Sequence, residues 1–433
     1  MTPGASRRSS AGRALWRLAV LALLALFLIA VDSLPAQTEG PPASSPSAEA
    51  EDSAERDEAS PFTVPEPSPE AVRYYRSGNL LWLVNVAWAL AVPALFLVLG
   101  WAAGLRGLAG RWTGRWLPTV LLVFVGYSVA AYLLDFPLSL YGGFVRPHAY
   151  DLSNQSFGMW LGDSLKALGV SIAFGVPIFG VLYTLLRKSP RRWWLWTGLL
   201  TLPFLAFTVL VGPIWIAPLF DDFGPMRDKE LEAEILELAD RVGVEAERVF
   251  EVNKSEDTSR VNAYVTGIAG THRIVLWDTL LAELDDAEVL VVMAHELGHY
   301  VLGHVWTGIL LGWLGSMLAL FLVDRLGRWT LARWGGRWRV SSLADPASLP
   351  LILLLLTTLT LAGSPVALAF SRHQERAADR FARELTHDPE ACAGAFRKLL
   401  VKNLSYPWPG PVYEALRASH PPIGERIEGC GGS

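Results

Sequence analysis

The stretch His295-Glu296-Leu297-Gly298-His299 places two histidines four residues apart, with a glutamate directly after the first. On a helix, positions i and i+4 share one face, so both imidazoles can reach a single metal ion. Glu296 projects beside that face, where it can contact a metal-bound water. Neutral imidazole suits zinc, which in catalytic sites takes three protein ligands and leaves a fourth position for water. The pattern therefore predicts one zinc ion per chain, with a bound water of pKa about 7 and Glu296 as general base.

A chance match on a buried helix is the alternative, but the chain has only 8 His in 433 residues. A third ligand is needed. His304 lies about half a turn out of phase with His295 at 3.6 residues per turn, so we expect it to point away from the metal as a polar residue with no metal-binding role. Glu375 and Asp379 are again four residues apart. Alone, such a pair is typical of a solvated helix face. Paired with the two histidines across a helical hairpin, Glu375 is predicted to bind zinc, and Asp379 to select the tautomer of a ligand histidine.

Long apolar segments surround these residues. The chain is 52% hydrophobic and 18% charged, against about 25% charged residues in soluble domains. Six runs contain no charged residue or histidine, and each is as long as the ~17–25 residues that a membrane-spanning helix needs. The runs are Ser77–Leu105, Trp116–Leu134, Ala167–Leu186, Trp193–Phe220, Val305–Val323 and Pro346–Ser371. The predicted fold class is therefore mainly α, in a polytopic membrane protein.

The N-terminal segment allows two interpretations. Leu18–Val31 is apolar and follows four arginines, so it is either a first transmembrane helix or a secretory signal. We favour the helix, which brings the expected number of transmembrane helices to about seven. Residues 34–76 are rich in Pro, Ser and acidic residues and predict a disordered loop.

The polar segment 221–304 mixes helices with short strands. The helix Ala287–His304, which carries the two paired histidines, is expected to run straight into the next membrane span. Three short stretches have strand character: Arg248–Asn253, Val261–Gly267 and Arg273–Asp278. They predict a small β-sheet beside the metal-binding helix.

Several motifs together resemble one enzyme family. The chain is similar to the M48 metallopeptidases of the Ste24 type, the integral-membrane CAAX prenyl proteases. The resemblance covers nearly the whole chain except residues 34–76, and it implies seven transmembrane helices around a large chamber, with zinc at one end. The matching segments are Asn262-Ala263-Tyr264, Arg273 to Leu281, His295 to His299, Glu375 to Asp379 and Ser419 to Ile427.

The resemblance implies a role for each matching residue of the metal centre. His295, His299 and Glu375 would bind zinc. Glu296 would act as the general base. Asp379 matches a position that is either a proton donor or a partner of a metal ligand, and the sequence does not separate these two roles.

Three further residues would contact the substrate. Asn262 would lie on an edge strand, where an extended peptide can add as another strand. His420 and Arg426 would face the scissile carbonyl and stabilise its developing oxyanion. Without the resemblance, these residues would be read as a turn cap, a surface histidine and a solvated helix residue.

The spans and motifs give a domain organisation. A first transmembrane helix or signal-like segment (1–33) and the acidic loop (34–76) precede transmembrane helices two to five. A zinc peptidase domain is predicted in two parts, the first with the paired histidines and the second with the third ligand, separated by helices six and seven. The ranges are 77–220 for helices two to five, 221–304 for the first part, 305–371 for helices six and seven, and 372–433 for the second part.

Basic residues are concentrated in alternate connections between the spans. By the positive-inside rule, these connections and the N-terminus lie in the cytoplasm. The expected location is a bacterial inner membrane, with the protein crossing it several times and the active site on the non-cytoplasmic face. The basic residues are Arg106, Arg111, Arg115, Arg187, Lys188, Arg191, Arg192, Arg325, Arg328, Arg333, Arg337 and Arg339, besides the four N-terminal arginines.

The predicted function is a membrane-embedded, zinc-dependent endopeptidase. Its expected partners are an extended peptide or membrane-tethered protein substrate and the lipid bilayer, with no nucleic acid. With only two cysteines, Cys392 and Cys430, we expect neither a disulfide framework nor a cysteine-based metal site. The alternatives are a catalytically silent scaffold or quality-control protein and a multi-span transporter with a structural metal. The intact ligand set counts against the first, and the lack of ionisable residues within the runs counts against the second.

Overall fold

A computed structural model of the protein describes residues 62–432, except 245, 247 and 267–272. The predicted first helix Leu18–Val31 and most of the predicted loop 34–76 lie outside the described residues. Helices predominate in the described part, and one small sheet accompanies them. The prediction of a mainly α-helical membrane protein is confirmed.

Five of the described helices are long and apolar enough to cross a membrane. They are Pro69–Val98, Trp116–His148, Phe157–Lys188, His304–Trp338 and Pro346–Thr386. A sixth candidate span is bent by 47° between Trp193–Val209 and Gly212–Leu219. Each of these elements overlaps one of the six predicted apolar runs, because a helix that is apolar on all faces is stable only inside a bilayer or a large core.

The first group of membrane helices occupies residues 69–211. Its members are α1 (Pro69–Val98), α2 (Trp101–Thr113), α3 (Trp116–Leu140), α4 (Phe157–Lys188) and α5 (Trp193–Val211). The run predicted as Ser77–Leu105 is divided between α1 and α2, because Gly100 has a φ of 75°, a conformation that glycine adopts readily. After α3, the chain continues through a π-helical turn, Tyr141–Val145, into Arg146–His148.

The basic connections meet at one end of the helix bundle. Arg106 donates to the main-chain oxygen of Arg339 at 3.1 Å, and Arg328 donates to that of Pro190. The guanidinium of Arg187 lies 4.7 Å from the ring centroid of Trp116. The connections after α2 and α4 and the end of the sixth predicted span therefore form a single positively charged end.

The small sheet lies at the opposite end of the bundle. Its strands are β1 (Phe223–Pro225), β2 (Val249–Val252), β3 (Ala263–Thr266) and β4 (Arg273–Trp277), in the order β1-β2-β4-β3. β2 and β4 are parallel, and the other two pairs are antiparallel. The connection after α3 joins this region, since Thr258 Oγ1 donates to the Leu152 oxygen at 2.7 Å. The three predicted strands are present, and β1, with three residues, is too short to give a periodic pattern.

Helices pack against the sheet and lead back to the membrane. They are α6 (Lys229–Arg241), α7 (Asp278–Glu283), α8 (Asp286–Val301) and α9 (His304–Trp338). Asp285 and Glu288 form a capping box at the start of α8, which stabilises the first turn of that helix. Met293 and Leu297 of α8 are fully buried against Ile235 of α6 and Ile274 of β4, so the sheet fixes the position of α8.

The prediction of one continuous helix from Ala287 into the membrane is wrong. Gly303 has a φ of 68° and separates α8 from α9. Glycine is the residue most often found in this left-handed conformation after a helix end. Because of this break, the side-chain directions in α9, beginning with His304, no longer follow from the helical spacing of α8.

The C-terminal part begins with the last membrane helix. It contains α10 (Leu349–Thr386), α11 (Pro389–Lys402), α12 (Pro411–Leu416) and α13 (Ile423–Cys430). Cys392 of α11 and Cys430 of α13 form a single disulfide, a pairing that the expectation of no disulfide framework did not include. Their separation of 38 residues carries no local pattern from which a pairing could be inferred.

A large apolar cavity lies between the membrane helices. Its volume is 1980 Å³, and α1, α4, α5, α9 and α10 contribute to its walls. Trp82, Phe174, Phe204, Leu311 and Leu356 are among its lining residues. A cavity enclosed by membrane helices is therefore present, and it extends to Gln374, the neighbour of Glu375.

Candidate metal centre

Three side chains from two helices converge at the membrane end of α8. His295 Nε2 lies 3.1 Å from His299 Nε2 and 3.3 Å from Glu375 Oε2. His299 Nε2 lies 3.4 Å from Glu375 Oε1. Among the described residues, these three are the set whose donor atoms could hold a metal ion.

The separations of the three donor groups fit a zinc ion. Tetrahedral ligands that bind zinc at about 2.05 Å lie about 3.3 Å from one another. The two histidine Nε2 atoms are 3.1 Å apart, and they lie 3.3 and 3.4 Å from the two different oxygens of Glu375. One ligand atom from each residue lies within 4.8 Å of the other two. Glu375 Oε2 is buried, and it lies 3.3 Å from His295 Nε2 and 3.4 Å from His420 Nε2. Both distances are long for a hydrogen bond to a charged acceptor. A buried carboxylate oxygen without a short hydrogen bond is unusual unless it binds an ion. The ligand positions predicted from the sequence are therefore brought together in a geometry suited to zinc.

Glu296 lies beside the three ligands and lines the adjoining cavity. Its carboxylate accepts the backbone N–H of Val265 in β3. Burial raises the pKa of Glu296, although the neighbouring histidines oppose this effect. A raised pKa makes the carboxylate a better proton acceptor near neutral pH.

Asp379 is placed behind His295. Its Oδ1 lies 2.8 Å from His295 Nδ1, which assigns the proton to Nδ1 and leaves Nε2 for a metal. Arg426 binds the same carboxylate with two nitrogens, at 2.6 and 3.0 Å. Although burial opposes it, hydrogen bonds to Asp379 and Glu375 raise the pKa of His295 to about 9 in the metal-free protein.

Arg426 is nearly buried, with 11% of its side chain exposed. Its guanidinium stacks on Phe396, with 4.1 Å to the ring centroid, and lies 3.4 Å from His295 Nδ1. It lines the cavity at the metal centre, but both of its described hydrogen bonds with a carboxylate go to Asp379. Its main contact is thus with the residue behind the metal ligand.

His304 departs from the prediction. Its Nδ1 lies 2.9 Å from His299 Nδ1, so it faces the metal centre instead of pointing away from it. The reason is the helix break at Gly303, which turns His304 back towards α8. His304 is not part of the ligand group, but it hydrogen-bonds one of the ligands. The dipeptide Leu302-Gly303 after the last helical residue was the signal that could have identified the break.

Gly298 permits the close approach of α8 and α10. A Cβ atom at this position would lie 2.9 Å from Phe381 Cδ1 and 3.3 Å from Phe381 Cβ, closer than the normal van der Waals separation of two carbon atoms. α10 carries Glu375, so this contact sets the distance between the third ligand and the two histidines.

The cavity beside the metal centre has a volume of 670 Å³. Asn262 lines it, is exposed, and immediately precedes β3, the edge strand of the described sheet. The Asn262 oxygen accepts the N–H of Trp277 at 3.2 Å. His420 lines the same cavity, with its Nε2 3.4 Å from Glu375 Oε2 and its Nδ1 2.9 Å from Ser419 Oγ. All eight residues predicted for the site therefore lie at or around this cavity.

Comparisons with known proteins agree with this arrangement. Residues 225–430 match peptidase family M48, and residues 66–222 match the CAAX prenyl protease N-terminal model of five membrane helices. Metalloprotease YhfN of Bacillus subtilis is 38% identical over 378 residues, which cover 86% of this chain and 87% of that protein. CAAX prenyl protease 1 of Saccharomyces cerevisiae is 33% identical over 323 residues, 71% of each chain. The crystal structure of Ste24p from S. mikatae superposes with a TM-score of 0.70 at 27% identity, over 82% of this chain and 86% of that chain.

A bundle of membrane helices that carries a His-His-Glu centre with an adjacent glutamate defines a membrane-integral metallopeptidase. The matched family models cover both the helices and the site. The chain belongs to peptidase family M48. It is a multi-pass membrane protein and a metalloendopeptidase, which favours the predicted enzyme over the silent scaffold and the transporter.

Proposed function

We propose that the chain uses one zinc ion to hydrolyse extended peptides on the non-cytoplasmic side of a bacterial inner membrane. The observation that carries the choice of zinc is the convergence of two imidazoles and one carboxylate, with one ligand atom from each lying within 4.8 Å of the others. His295, His299 and Glu375 would hold the ion. When bound, zinc supplies a Lewis acid and lowers the pKa of a water ligand to about 7.

Glu296 accepts the proton of the attacking water in this proposal. Its position beside the ligands and its raised pKa support the role of general base. Asp379 is assigned the role of positioning partner, because its two oxygens are occupied by His295 and Arg426. Arg426 would then act mainly through Asp379.

His420 is the candidate for contact with the scissile carbonyl. Its side chain is 57% exposed and lies beside Glu375, where an N–H can donate to a developing oxyanion. Asn262 would hold the substrate backbone, since an extended peptide can pair with the open side of β3 and gain main-chain hydrogen bonds. The cavity between them accommodates an unfolded peptide and excludes a folded domain.

Two observations support the non-cytoplasmic position of the site. The basic connections lie at the end of the bundle opposite the sheet, and basic connections are retained in the cytoplasm. The Cys392–Cys430 disulfide lies in the peptidase part, and disulfides persist in oxidising compartments such as the bacterial periplasm. A prenylated cytosolic tail would not reach such a site, so we propose an unfolded or membrane-tethered peptide as substrate.

The domain division predicted from the sequence is part of the proposal. Segments 221–304 and 372–433 would form one peptidase unit, because α8 and α10 both contribute ligands to the centre. Segments 77–220 and 305–371 would form the membrane part, with 1–33 and 34–76 preceding it.

Metal reconstitution tests the proposed chemistry. Detergent-purified protein is stripped with a chelator, and cleavage of unstructured peptides is measured after addition of Zn²⁺, Mg²⁺ or Ca²⁺. We expect zinc to restore turnover and the two oxygen-preferring ions to have no effect. Full activity in the chelated, zinc-free protein would contradict the proposal. A second peptide of the same sequence that carries a prenylated cysteine tests whether a lipid group changes the rate of cleavage.

A reporter fusion tests the side of the membrane. Alkaline phosphatase, which folds only outside the cytoplasm, is fused after Ser433, and a matched fusion is placed in the connection between α4 and α5. We expect activity only in the first fusion. The reverse result would place the metal centre in the cytoplasm.

A further inference from the structure

The cavity at the metal centre is rich in unpaired positive charge. Glu296 is the only acidic residue among the described residues that line it. Arg146, Arg260 and Arg417 line the same cavity. No nitrogen of these three guanidiniums lies within 4.0 Å of a carboxylate oxygen in the described part of the chain. We call these three residues the arginine cluster.

Arg146 is the most buried member of the cluster, with 7% of its surface exposed. Its Nη2 donates to the main-chain oxygen of Tyr74 at 2.6 Å, and its Nε donates to Ser77 Oγ at 3.4 Å. Its guanidinium carbon lies 3.7 Å from the ring centroid of Tyr74. These uncharged partners hold the Arg146 guanidinium in place but do not balance its positive charge. A buried charge is normally paired with an opposite charge.

Arg260 shares the same aromatic support. It donates to Tyr74 Oη, and its guanidinium carbon lies 5.7 Å from the Tyr74 ring centroid. Two guanidiniums thus lie within 5.7 Å of a single ring. Both arginines also line the cavity beside the metal centre.

Arg417 completes the cluster. Its guanidinium carbon lies 4.6 Å from the ring centroid of Tyr413, and its Nη1 donates to Asn79 Oδ1. Burial lowers the pKa of Arg417, and the charge of Arg146 acts in the same direction. An arginine with a lowered pKa lacks the nearby anion that would stabilise its charge.

We propose that the arginine cluster binds a carboxylate of the peptide substrate, either the C-terminal carboxylate or an Asp or Glu side chain. This inference rests on the proposed peptidase function. Guanidinium groups match carboxylates in shape and bind them through paired hydrogen bonds. The cluster and Glu296 line one cavity, so the bound carboxylate belongs to the peptide that is hydrolysed. The cluster would therefore select acidic or free-ended peptides and set the position of the cleaved bond.

Matched peptides test the proposal. One pair shares a neutral sequence and differs only in a free or amidated C-terminus. A second pair is amidated and differs by one internal Asp or Asn. Hydrogen bonds to charged groups lead us to expect a kcat/KM about 10- to 100-fold higher for the carboxylate-bearing member of one pair. The pair that shows the preference identifies the source of the carboxylate. Equal rates within both pairs would overturn the proposal while leaving the peptidase function intact.

Substitutions locate the preference on the cluster. In Arg260→Gln and Arg417→Gln we expect the ratio of rates within the selective pair to fall close to one, because the rate for the carboxylate-bearing peptide falls more than the rate for the uncharged peptide. Arg248→Gln is the matched control, because Arg248 is exposed and does not line the cavity. A ratio unchanged in both cluster variants, or equally reduced in the control, would overturn the assignment. Because Arg146 is buried and its replacement can disturb folding, the conclusion does not depend on an Arg146 variant.

A binding measurement separates this inference from the proposed function. Fluorescently labelled peptides are titrated with full-length Glu296→Gln protein, and anisotropy gives Kd for each member of each pair. Tighter binding of the carboxylate-bearing peptide supports the cluster even if no peptide is hydrolysed by the unaltered enzyme, a result that would count against the peptidase function alone. Equal Kd values in both pairs would remove the cluster as a carboxylate site.

Discussion

Removal of the Cys392–Cys430 disulfide is expected to destabilise the peptidase part. The bond closes a loop of 38 residues, and the loss of loop-closure entropy in the unfolded chain for that length corresponds to about 4 kcal/mol at 25 °C. For a cooperative unit of 150–250 residues, this equals a decrease in Tm of about 8–16 °C. The effect extends to the metal centre, because the bond ties α11 to α13, and α13 carries Arg426, which holds Asp379.

The assay compares the unaltered protein with the double variant Cys392→Ala, Cys430→Ala. Thermal unfolding of both is followed by tryptophan fluorescence, with and without a reductant. We expect the reductant to lower the Tm of the unaltered protein to that of the double variant and to leave the double variant unchanged. Equal Tm values without reductant, or free thiols that alkylate in the unfolded, non-reduced protein, would refute the reasoning.

Three further predictions concern the metal centre. His304→Leu removes the hydrogen-bond partner of His299 Nδ1, so zinc affinity measured by chelator competition should fall about 10- to 100-fold, whereas His304→Asn should lose less; equal affinities would deny His304 an orienting role. Gly298→Ala places a Cβ 2.9 Å from Phe381 Cδ1 and should cost about 1–3 kcal/mol by overpacking. The loss is measured as a decrease in Tm. Adding Phe381→Leu to Gly298→Ala should restore part of that Tm, and a double variant whose decrease in Tm equals the sum of the two single decreases would contradict the contact. Because the pKa of His295 is raised to about 9 without metal, binding of zinc must displace a proton. Affinity should therefore rise about tenfold per pH unit from pH 6 to 9 and level off above it, and a flat profile in calorimetric titrations would contradict this.

Much of the metal centre follows from the sequence because its signals are local. His295 and His299 share a helix face by spacing alone, and Glu375 is the carboxylate of a second helix that leaves the membrane at the same end. The apolar runs predict the membrane helices for the same reason, since a bilayer imposes length and composition on each helix separately.

Features that depend on a single backbone angle or on distant pairs were not predictable in this way. One residue with a positive φ, Gly303, interrupts a helix that the apolar pattern would continue, and this changes the direction of His304. The disulfide joins two helices that are distant in sequence and share no periodic signal. The arginine cluster is assembled from three separate connections, and its lack of carboxylate partners is visible only once the fold brings those connections together.

Zinc-dependent hydrolysis with Glu296 as the base is tested by comparing the unaltered protein with Glu296→Gln. Zinc content is determined by elemental analysis, and hydrolysis of an unstructured peptide is followed by mass spectrometry on the same samples. We expect one zinc per chain in both proteins and hydrolysis by the unaltered protein. The rate in the variant should be at least about 100-fold lower, as expected for loss of a general base. Normal hydrolysis by a zinc-loaded Glu296→Gln protein would contradict the proposed chemistry.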